Sequence, residues 1–437
     1  MGWLIRLLTS DNMSLAQTFC SSPWIHMKIA SNGQLKYCRW SNVDQHTPTI
    51  GDIHPLTFFQ QHMAPVRQAM LSGKSLAECN ECHVMEKYGK VSGRQKQLLK
   101  TGITVKDFAK SCVSSTFASE FEKSLQHGHT DLQPLDWQID LGNHCNSACV
   151  MCSPESSSRL AAEFHRIGFI DRLPPANWVE DTNKVDMFID LLSQTPGLAY
   201  LHFIGGETLI TPGFKKILQA LVKQDFRDKI TLGLTTNLTV WDEEINHLLC
   251  EFKQVHLGMS IESMTQVNDY VRYPSNIQSV SEIMHRWIEL SRKQGWIPTL
   301  RTTPTALTAG ELLGIYKFAL VNQVGVESCN FLEEPHMLRM SVLPIEIRQH
   351  ISDQLKQWLQ QQHINQTQVI NHRDPNQVQQ SILQDLNSYV TYLDESPDET
   401  HLLPDMVRYL KKLDQSRKNS VLDYLPEYEE LFRSAGY

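Results

Sequence analysis

Two rhythms of hydrophobic and polar positions alternate along the central part of the chain. Short runs in which every second residue is apolar are typical of half-buried strands, and longer segments with apolar residues three or four positions apart are typical of helices. Between residues 131 and 340 the two patterns follow each other in turn. The candidate strands are LDWQIDL, LAYLHFI, KITLGLTT, QVHLGMSI, PTLRTTP and ESCNFLE. This alternation predicts parallel strands joined by right-handed connections through helices.

The helical patterns between these strands include SSRLAAEFHRIG, PGFKKILQALVKQ and VSEIMHRWIELSRKQG. Six strand–helix repeats are enough for a curved, partial barrel and too few for a closed eight-stranded barrel. The sequence therefore predicts an α/β fold whose core is a partial (β/α)6 TIM-like barrel. In such a barrel the active site lies at the carboxyl ends of the strands, where the connecting loops converge.

The segments on either side of the predicted barrel have different patterns. WIHMKIASNGQLKYC predicts a hairpin that turns at Asn32-Gly33, helix-like stretches follow it, and GHTDLQP predicts a linker. After the barrel, PIEIRQHISDQLKQWLQQQH is typical of a helix, and this last region shows no recognisable chemistry. We therefore expect three units, which are a cysteine-rich region over 14–130, the barrel over 131–340 and a helical extension over 341–437.

Composition narrows the class of protein. The chain has 437 residues, 41% hydrophobic residues and a formal net charge of −8, which is typical of a globular protein and argues against nucleic acid as a partner. No apolar stretch approaches the ~18 residues of a membrane span, so we expect no membrane association. The first residues are interrupted by Arg6 and lack a cleavage site for a signal peptide. We therefore expect a cytoplasmic protein, with Met1 or Met13 as its first residue.

Ten cysteines in such a chain favour metal ligation or catalysis over disulfides. Cys145, Cys149 and Cys152 lie within eight positions, directly after the first predicted strand. Three thiolates can hold three irons of a [4Fe–4S] cube and leave the fourth iron open to another ligand, whereas four thiolates would close it. For this motif alone, a zinc site completed by the adjacent His144 is an alternative.

Further candidate residues follow the next predicted strands, so we expect them on the same rim of the barrel. Gly205, Gly206 and Glu207 end the second strand, Asn237 ends the third, and Ser260 ends the fourth. This Gly-Gly-Glu motif, together with the earlier Cys-x3-Cys-x2-Cys motif, resembles the radical S-adenosylmethionine (SAM) superfamily. In that superfamily the open iron of the cluster binds the methionine moiety of SAM. The reduced cluster cleaves SAM to a 5′-deoxyadenosyl radical, which abstracts a hydrogen atom from the substrate.

The resemblance implies a role for each matching residue. Cys145, Cys149 and Cys152 would be the cluster ligands. Gly205 and Gly206 would let the backbone approach SAM, since a side chain there would obstruct it. The remaining contacts with SAM would come from Glu207 at the ammonium, Asn237 and Ser260 at the ribose or carboxylate, Arg272 at the carboxylate, and Met151 near the adenine at a position that is often aromatic. Asn237 and Ser260 as turn residues, and Arg272 as a surface residue, are the alternatives.

A second set of thiols lies in the N-terminal region. Cys20 and Cys38 flank the predicted hairpin, and Cys79 and Cys82 share one turn. Together they can form a closed four-sulfur site, which suits structure or electron transfer better than substrate activation. Because zinc and iron–sulfur clusters both accept such ligands, the four thiols do not discriminate between them. His26 or His83 could replace one ligand, although each is also explained as an ordinary solvated or core histidine.

The spacing around these thiols resembles the SPASM and twitch extensions that accompany many radical SAM proteins. Those extensions usually follow the barrel, whereas this one precedes it. The matching motifs are C-x2-PW and C-x2-C-x3-E-x2-G-x2-S-x-R, formed by Cys20, Pro23, Trp24, Cys79, Cys82, Glu86, Gly89, Ser92 and Arg94. The resemblance implies an auxiliary [4Fe–4S] cluster with all four thiols committed, a pattern that favours electron relay over direct ligation of substrate.

The sequence thus predicts a radical SAM enzyme that uses SAM and two [4Fe–4S] clusters. By resemblance its substrate is a peptide or protein side chain, and its reductant is an external donor such as flavodoxin or ferredoxin. A dehydrogenase of sugars or alcohols is an alternative, and a non-catalytic scaffold that binds zinc or iron–sulfur is another. No catalytic side chain is identified beyond the cluster ligands.

Overall fold

The computed structural model describes residues 19–41, 44–74, 76–100, 120, 123–124, 126–328, 331–362 and 377–437. The two candidate first residues, Met1 and Met13, lie outside the described residues. So do two isolated cysteines, Cys112 and Cys329.

A single sheet runs through the described residues. Its strands are β1 (His26–Ile29), β2 (Leu35–Lys36), β3 (Asp136–Asp140), β4 (Tyr200–Ile204), β5 (Thr231–Thr236), β6 (Gln254–Ser260), β7 (Ile297–Thr302) and β8 (Gly325–Ser328). Their order is β2-β1-β3-β4-β5-β6-β7-β8. Only β2 is antiparallel to its neighbour, and the others pair in parallel. The predicted α/β fold with a parallel sheet is confirmed, and the N-terminal hairpin extends that sheet because β1 pairs with β3.

The two faces of the sheet differ in chemistry because successive side chains of a strand point to opposite sides. Trp137 and Leu201 are opposite each other in β3 and β4, and both are fully buried in the main hydrophobic core. One position further along each strand, Lys28, Gln138 and His202 form a polar row across β1, β3 and β4. This polar row lies on the opposite face of the sheet from the core residues, so that face is suited to polar contacts.

Helices of the barrel cover the apolar face of the sheet, and other helices lie in the N-terminal region. Those before the barrel are α1 (Ser22–Ile25), α2 (Ala64–Leu71), α3 (Asn80–Lys87) and α4 (Gly93–Lys100), with a π-helical turn at Phe58–His62. Those of the barrel are α5 (Ser158–Arg166), α6 (Thr182–Ser193), α7 (Phe214–Val222), α8 (Glu243–Leu249), α9 (Val267–Val271), α10 (Ile277–Gln294) and α11 (Leu312–Asn322). Ser157 caps α5 by accepting a hydrogen bond from Leu160 N, and Asn276 caps α10 in the same way.

One predicted strand is shifted. The segment ESCNFLE overlaps β8 only at Glu327 and Ser328, because β8 begins at Gly325, opposite Thr299 of β7, and residues 329–330 lie outside the described part. The apolar residues that suggested a longer strand pack elsewhere. Phe331 stacks on Tyr392 of the C-terminal extension with 4.4 Å between the ring centroids.

The predicted helical extension is present as α12 (Ile345–Gln360), α13 (Val378–Glu395), α14 (Leu403–Arg417) and α15 (Glu429–Ser434). Helix α13 packs against α12 and against β8. The buried Lys90 of the N-terminal region donates to Asp385 of α13 at 2.9 Å and to Tyr389 at 3.2 Å. Among the described residues, no helix has the length and apolar character needed to span a membrane.

Candidate functional site

The loop that carries Cys145, Cys149 and Cys152 is held in place by backbone pairing. The loop follows the end of β3. Its backbone is bonded to the end of α9 and the residues after it, because Ala148 N donates to Tyr273 O at 2.5 Å and Val150 N donates to Val271 O at 2.7 Å. Backbone pairing of this kind fixes the loop without using the thiols. We call residues 145–152 the cysteine loop.

The three thiols are protonated in the metal-free protein at neutral pH. Burial raises the pKa of Cys145 to about 11 and also raises the pKa values of Cys149 and Cys152. Cys145 Sγ also accepts a hydrogen bond from Ser147 N at 3.4 Å, which lowers the pKa of Cys145 against the larger effect of burial. A metal needs the thiolate form, so loading of this site would release protons and become weaker as the pH falls.

Arg272 provides a positive charge beside all three thiols. Burial alone would lower its pKa, but the nearby Cys149, Glu262, Cys145 and Cys152 hold the pKa above its ordinary value. Its Nη1 donates to Glu262 Oε1 at 3.2 Å. The structure places Arg272 beside the cysteine loop and excludes the alternative of a solvated surface arginine, since its side chain is only 11% exposed. Its contact with the carboxylate of SAM stays a prediction.

Glu262 belongs to the site and was missed in the sequence. It is 4% exposed and also accepts from Thr302 Oγ1 at 2.9 Å and Thr303 N at 2.8 Å. Burial raises its pKa to about 7, against the opposing effect of Arg272. It lies two residues after Ser260, so the alternation of strand β6 continued by one step would have pointed to it.

The two glycines of the Gly-Gly-Glu motif lie against the backbone that leads into the cysteine loop. A Cβ atom on Gly205 would lie 2.8 Å from Gly142 O, and one on Gly206 would lie 2.4 Å from His144 O. Gly206 N donates to Gly142 O at 2.7 Å, and Glu207 N donates to His144 O at 2.8 Å. The close approach that requires glycine here is therefore to the chain itself, in addition to any approach to SAM expected from the sequence.

Replacement of Gly206 by alanine should displace the start of the cysteine loop, because its new methyl group would overlap a backbone carbonyl. We expect the free energy of unfolding to fall by about 1–3 kcal/mol, with less iron bound after reconstitution. Thermal unfolding and iron analysis measure both effects. Gly197→Ala is the matched control, since a Cβ there meets nothing within 4 Å. Equal stability and iron content of the two variants would contradict the close contact.

Glu207 and Asn237 join the motif to the cysteine loop. Glu207 is fully buried, its Oε1 accepts from Leu209 N at 3.2 Å, and its Oε2 accepts from Asn237 N at 2.5 Å. The amide of Asn237 then donates to Asn146 Oδ1 at 2.7 Å and Ser147 Oγ at 3.1 Å. Burial raises the pKa of Glu207, while the hydrogen bonds to the backbone N–H groups oppose it.

Ser260 and Met151 are the remaining predicted contacts of SAM. Ser260 is the last residue of β6 and pairs in register with Arg301 of β7. Met151 is half-buried and packs against the main hydrophobic core. Both therefore lie at the carboxyl edge of the sheet or in the cysteine loop, as the sequence predicts, and their contacts with SAM stay predictions.

Helix α14 of the C-terminal extension also contacts the cysteine loop. Tyr409 OH donates to Val150 O at 2.7 Å, and Arg417 Nη2 donates to Ala148 O at 2.8 Å. This contact could not be predicted from the sequence, because more than two hundred residues separate the helix from the loop and neither side chain belongs to a motif. The extension in which no chemistry was recognised thus forms one wall of the site.

The four N-terminal thiols are brought together. One cavity of about 120 Å³ is lined by Cys20, Cys38, Cys79 and Cys82. Two of the sulfur atoms already accept backbone N–H groups, from Ser22 to Cys20 at 3.4 Å and from Trp40 to Cys38 at 3.3 Å. Donors of this kind favour the thiolate form that ligates iron or zinc. We call this the four-thiol cavity.

The motif that follows Cys82 has a structural explanation. Glu86 accepts hydrogen bonds from Ser92 Oγ at 2.5 Å and from Arg94 Nε at 3.1 Å. Arg94 also donates to Phe19 O at 3.0 Å, one residue before Cys20. This arrangement links helix α3, which carries Cys82, to the segment that carries Cys20.

The proline of the C-x2-PW motif is bound by a buried arginine. Arg67 is fully buried and donates to Pro23 O at 2.9 Å, Gln60 O at 3.1 Å and Gly128 O at 2.9 Å. The indole of Trp24 donates to Ser124 at 3.0 Å. The segment after Cys20 is therefore fixed by long-range contacts, in keeping with a preformed site.

Two histidines were alternative ligands. His26 lines the four-thiol cavity but faces Asp136, with 3.2 Å between Nδ1 and Oδ2. His83 is not among the described residues that line the cavity. The thiols are therefore the ligand set that the geometry favours.

The four-thiol cavity also reaches the polar face of the sheet. It is lined on that side by Gln138, His202, Arg301 and Glu327. Arg301 and Glu327 form an ion pair of 2.8 Å across β7 and β8. The polar face belongs to the same sheet as β3, and the cysteine loop follows the carboxyl end of that strand.

The chemistry of the two thiol sets suits iron–sulfur ligation. Cysteine thiolates are the ligands of [4Fe–4S] clusters. Backbone N–H groups that donate to Cys20, Cys38 and Cys145 favour the thiolate form that ligation needs. Four cysteines also suit zinc, so the ligand types alone do not separate the two metals at the N-terminal set.

The comparison with protein families bears on the cysteine loop. Residues 139–311 match the model described as the Radical SAM superfamily. This segment is similar to radical SAM domains. It contains the cysteine loop, the Gly-Gly-Glu motif and Arg272, whereas the four N-terminal thiols precede it. No curated protein matches the chain at a significant level.

Solved structures resemble this segment and its surroundings at low identity. Streptococcus suis SuiB bound to S-adenosylmethionine has 12% identity and a TM-score of 0.40, over 65% of this chain and 60% of that chain. The structure of anSMEcpe with bound AdoMet has 18% identity and a TM-score of 0.37, over 52% and 61%. TsrM from Kitasatospora setae has 15% identity and a TM-score of 0.30, over 45% and 36%. The chain thus spans less than two thirds of each of these structures, and likenesses of this size assign it none of their activities.

Proposed function

We propose that the chain is a radical SAM enzyme with its SAM-binding [4Fe–4S] cluster on Cys145, Cys149 and Cys152. The observation that carries the proposal is the set of three thiols on one anchored loop beside a buried arginine, within a segment that matches the Radical SAM superfamily. The reduced cluster with bound SAM would supply a 5′-deoxyadenosyl radical.

Arg272 and Glu207 supply complementary charges at this site. A guanidinium has five N–H donors, and the bond to Glu262 uses Nη1. Arg272 thus retains donors for an anionic group such as the carboxylate of SAM. Glu207 accepts two backbone N–H groups and a hydrogen bond from the side chain of Thr236, and a carboxylate has about four acceptor positions. Capacity for an ammonium group therefore remains, and this supports the role expected for Glu207.

We extend the proposal to an auxiliary [4Fe–4S] cluster in the four-thiol cavity, where it would accept an electron from the substrate radical. Four sulfurs around one cavity, two of which accept backbone N–H groups, support metal ligation there. The segment with a match to the Radical SAM superfamily in the same chain favours iron–sulfur over zinc at this position. The polar residues Gln138, His202, Arg301 and Glu327, which line the four-thiol cavity on the sheet that carries the cysteine loop, support a substrate position on this face. Direct ligation of substrate is less favoured because four cysteines complete the ligand set.

The substrate and the electron donor are proposed on the resemblance of the motifs. We propose a peptide or protein side chain as substrate, with a sugar or alcohol as the alternative, and flavodoxin or ferredoxin as external donor. An open cleft of about 590 Å³ borders Cys152 and is also lined by Phe169, Tyr409 and Lys412. This cleft supports access from solvent to the cysteine loop.

Anaerobic reconstitution with iron and sulfide tests the proposal. We expect about eight irons per chain, from two clusters of four, and formation of 5′-deoxyadenosine when SAM and a strong reductant are added. A sample without reductant is the control. Metal uptake without 5′-deoxyadenosine would instead identify the non-catalytic scaffold.

A further inference from the structure

Helix α14 holds the cysteine loop through two side chains one above the other. Tyr409 donates to Val150 O, and Arg417 donates to Ala148 O, so the two bonds flank Cys149. Asp414, between them on the helix, accepts from Tyr270 OH at 2.8 Å. The helix is thus anchored both to the cysteine loop and to α9, the helix before Arg272.

Arg417 is a buried cation with a specific set of partners. Its side chain is 1% exposed, and its Nη2 and Nε lie 2.8 Å and 3.2 Å from Glu163 Oε2. Its guanidinium carbon lies 4.7 Å from the ring centroid of Tyr273, whose carbonyl accepts from Ala148 N. A buried ion pair generally costs as much in desolvation as it returns in attraction, so stability alone gives little reason for an arginine here.

The guanidinium retains one unused donor next to the cysteine loop. Arg417 Nη1 is buried and has no hydrogen-bond partner among the described residues. Its Nη2 holds the carbonyl of Ala148, the residue directly before Cys149. The orphan donor beside this residue indicates that a further acceptor, such as a negatively charged cluster, lies at Cys149 in the working protein.

We propose that Arg417 is a positioning residue of the cluster site, which fixes residues 148–150 through Ala148 O and makes reduction of a cluster bound at Cys149 easier. The inference rests on the proposed function for its second part. Reduction adds a negative charge, and the potentials of iron–sulfur clusters depend on nearby charge and on hydrogen bonds to sulfur. A fixed guanidinium, which does not lose its proton, therefore raises the midpoint potential.

Arg417→Met removes the charge and keeps most of the side-chain volume. At the midpoint of the wild type, we expect the ratio of reduced to oxidised cluster to fall about tenfold, which is a shift of about 59 mV for one electron. The measurement is a redox titration of the paramagnetic signal that changes when SAM is added. Arg417→Lys should restore most of the shift because it keeps the charge. Arg433→Met is the control in the same extension, since that side chain lies on α15 and is 63% exposed.

Glu163→Gln is expected to shift the midpoint potential in the opposite direction, and it leaves Arg417 in place. Loss of the neutralising carboxylate should move the midpoint upwards, so the result is decisive even where Arg417→Met binds iron poorly. A wild-type midpoint in Arg417→Met, or a downward shift in Glu163→Gln, would overturn the electrostatic part. These outcomes differ from failure of the proposed function, in which wild-type protein itself shows no signal that responds to SAM.

The positioning part is tested without a cluster. In metal-free protein, amide hydrogen exchange at Ala148 and Val150 should be faster in Arg417→Met than in the wild type, because both amides are bonded to the segment after α9. Arg433→Met should leave both rates unchanged. Unchanged rates in Arg417→Met would show that the loop is held without Arg417.

Discussion

Cys149→Ala is expected to abolish the formation of 5′-deoxyadenosine and to remove about half of the iron, since one of two four-iron clusters loses a ligand. Cys149 is the middle thiol of the cysteine loop and is 8% exposed. Without the sulfur of Cys149, the cluster would keep two cysteine ligands. Two of its four irons, instead of one, would then lack a ligand from the protein. Iron analysis, absorption spectroscopy and chromatography of the products of SAM measure the outcome.

Cys250→Ala is the matched control for this substitution. Cys250 is a partly exposed free thiol at the end of α8 and belongs to neither thiol set. The control should keep the iron content and the SAM cleavage of the wild type. If Cys149→Ala still formed 5′-deoxyadenosine at the wild-type rate, the ligand assignment and the proposed function would both be wrong.

The features that the sequence predicts correctly are those encoded within one short segment. The strands and helices of the barrel follow from periodicity, because each buries one face against the rest of the molecule. The cysteine loop follows from its spacing and from its position after β3. The hairpin turn at Gly33, which has φ of +87°, follows from a residue type that accepts this conformation.

Contacts between distant segments could not be predicted in the same way. β1 joins the sheet beside β3, although more than a hundred residues separate them, and neither strand carries a signal for its neighbour. Arg417 and Tyr409 reach the cysteine loop from the last helices for the same reason. A single sequence records which residues can be buried, whereas partners across the chain depend on the complete fold.

The Gly-Gly-Glu motif shows how one pattern serves two purposes. The sequence suggests that both glycines make room for SAM and that Glu207 binds its ammonium group. The structure adds that Gly206 lies against His144 O and that Glu207 accepts from Asn237 N. The motif therefore orders the cysteine loop before any ligand is present, so substitutions here would change both ligand binding and loop position.

Cys79→Ala is expected to separate the two thiol sets. Iron should fall by about four atoms per chain, while reductive cleavage of SAM continues without conversion of substrate. Cys79 is suitable for this substitution because it lies at the end of a short turn before α3 and is partly buried, whereas Cys82 is buried.

The control for this variant is Glu78→Gln, which changes the neighbouring residue at the same cavity and keeps all four sulfurs. It should retain both clusters. Metal analysis of purified wild type decides the identity of the N-terminal site, since zinc that resists replacement by iron would contradict the auxiliary cluster. In that case Cys79→Ala would release zinc and leave the iron content unchanged. Four cysteines can bind zinc or an iron–sulfur cluster equally well. The metal that is lost on this one substitution therefore shows whether the N-terminal site is an electron-relay cluster or a structural zinc site.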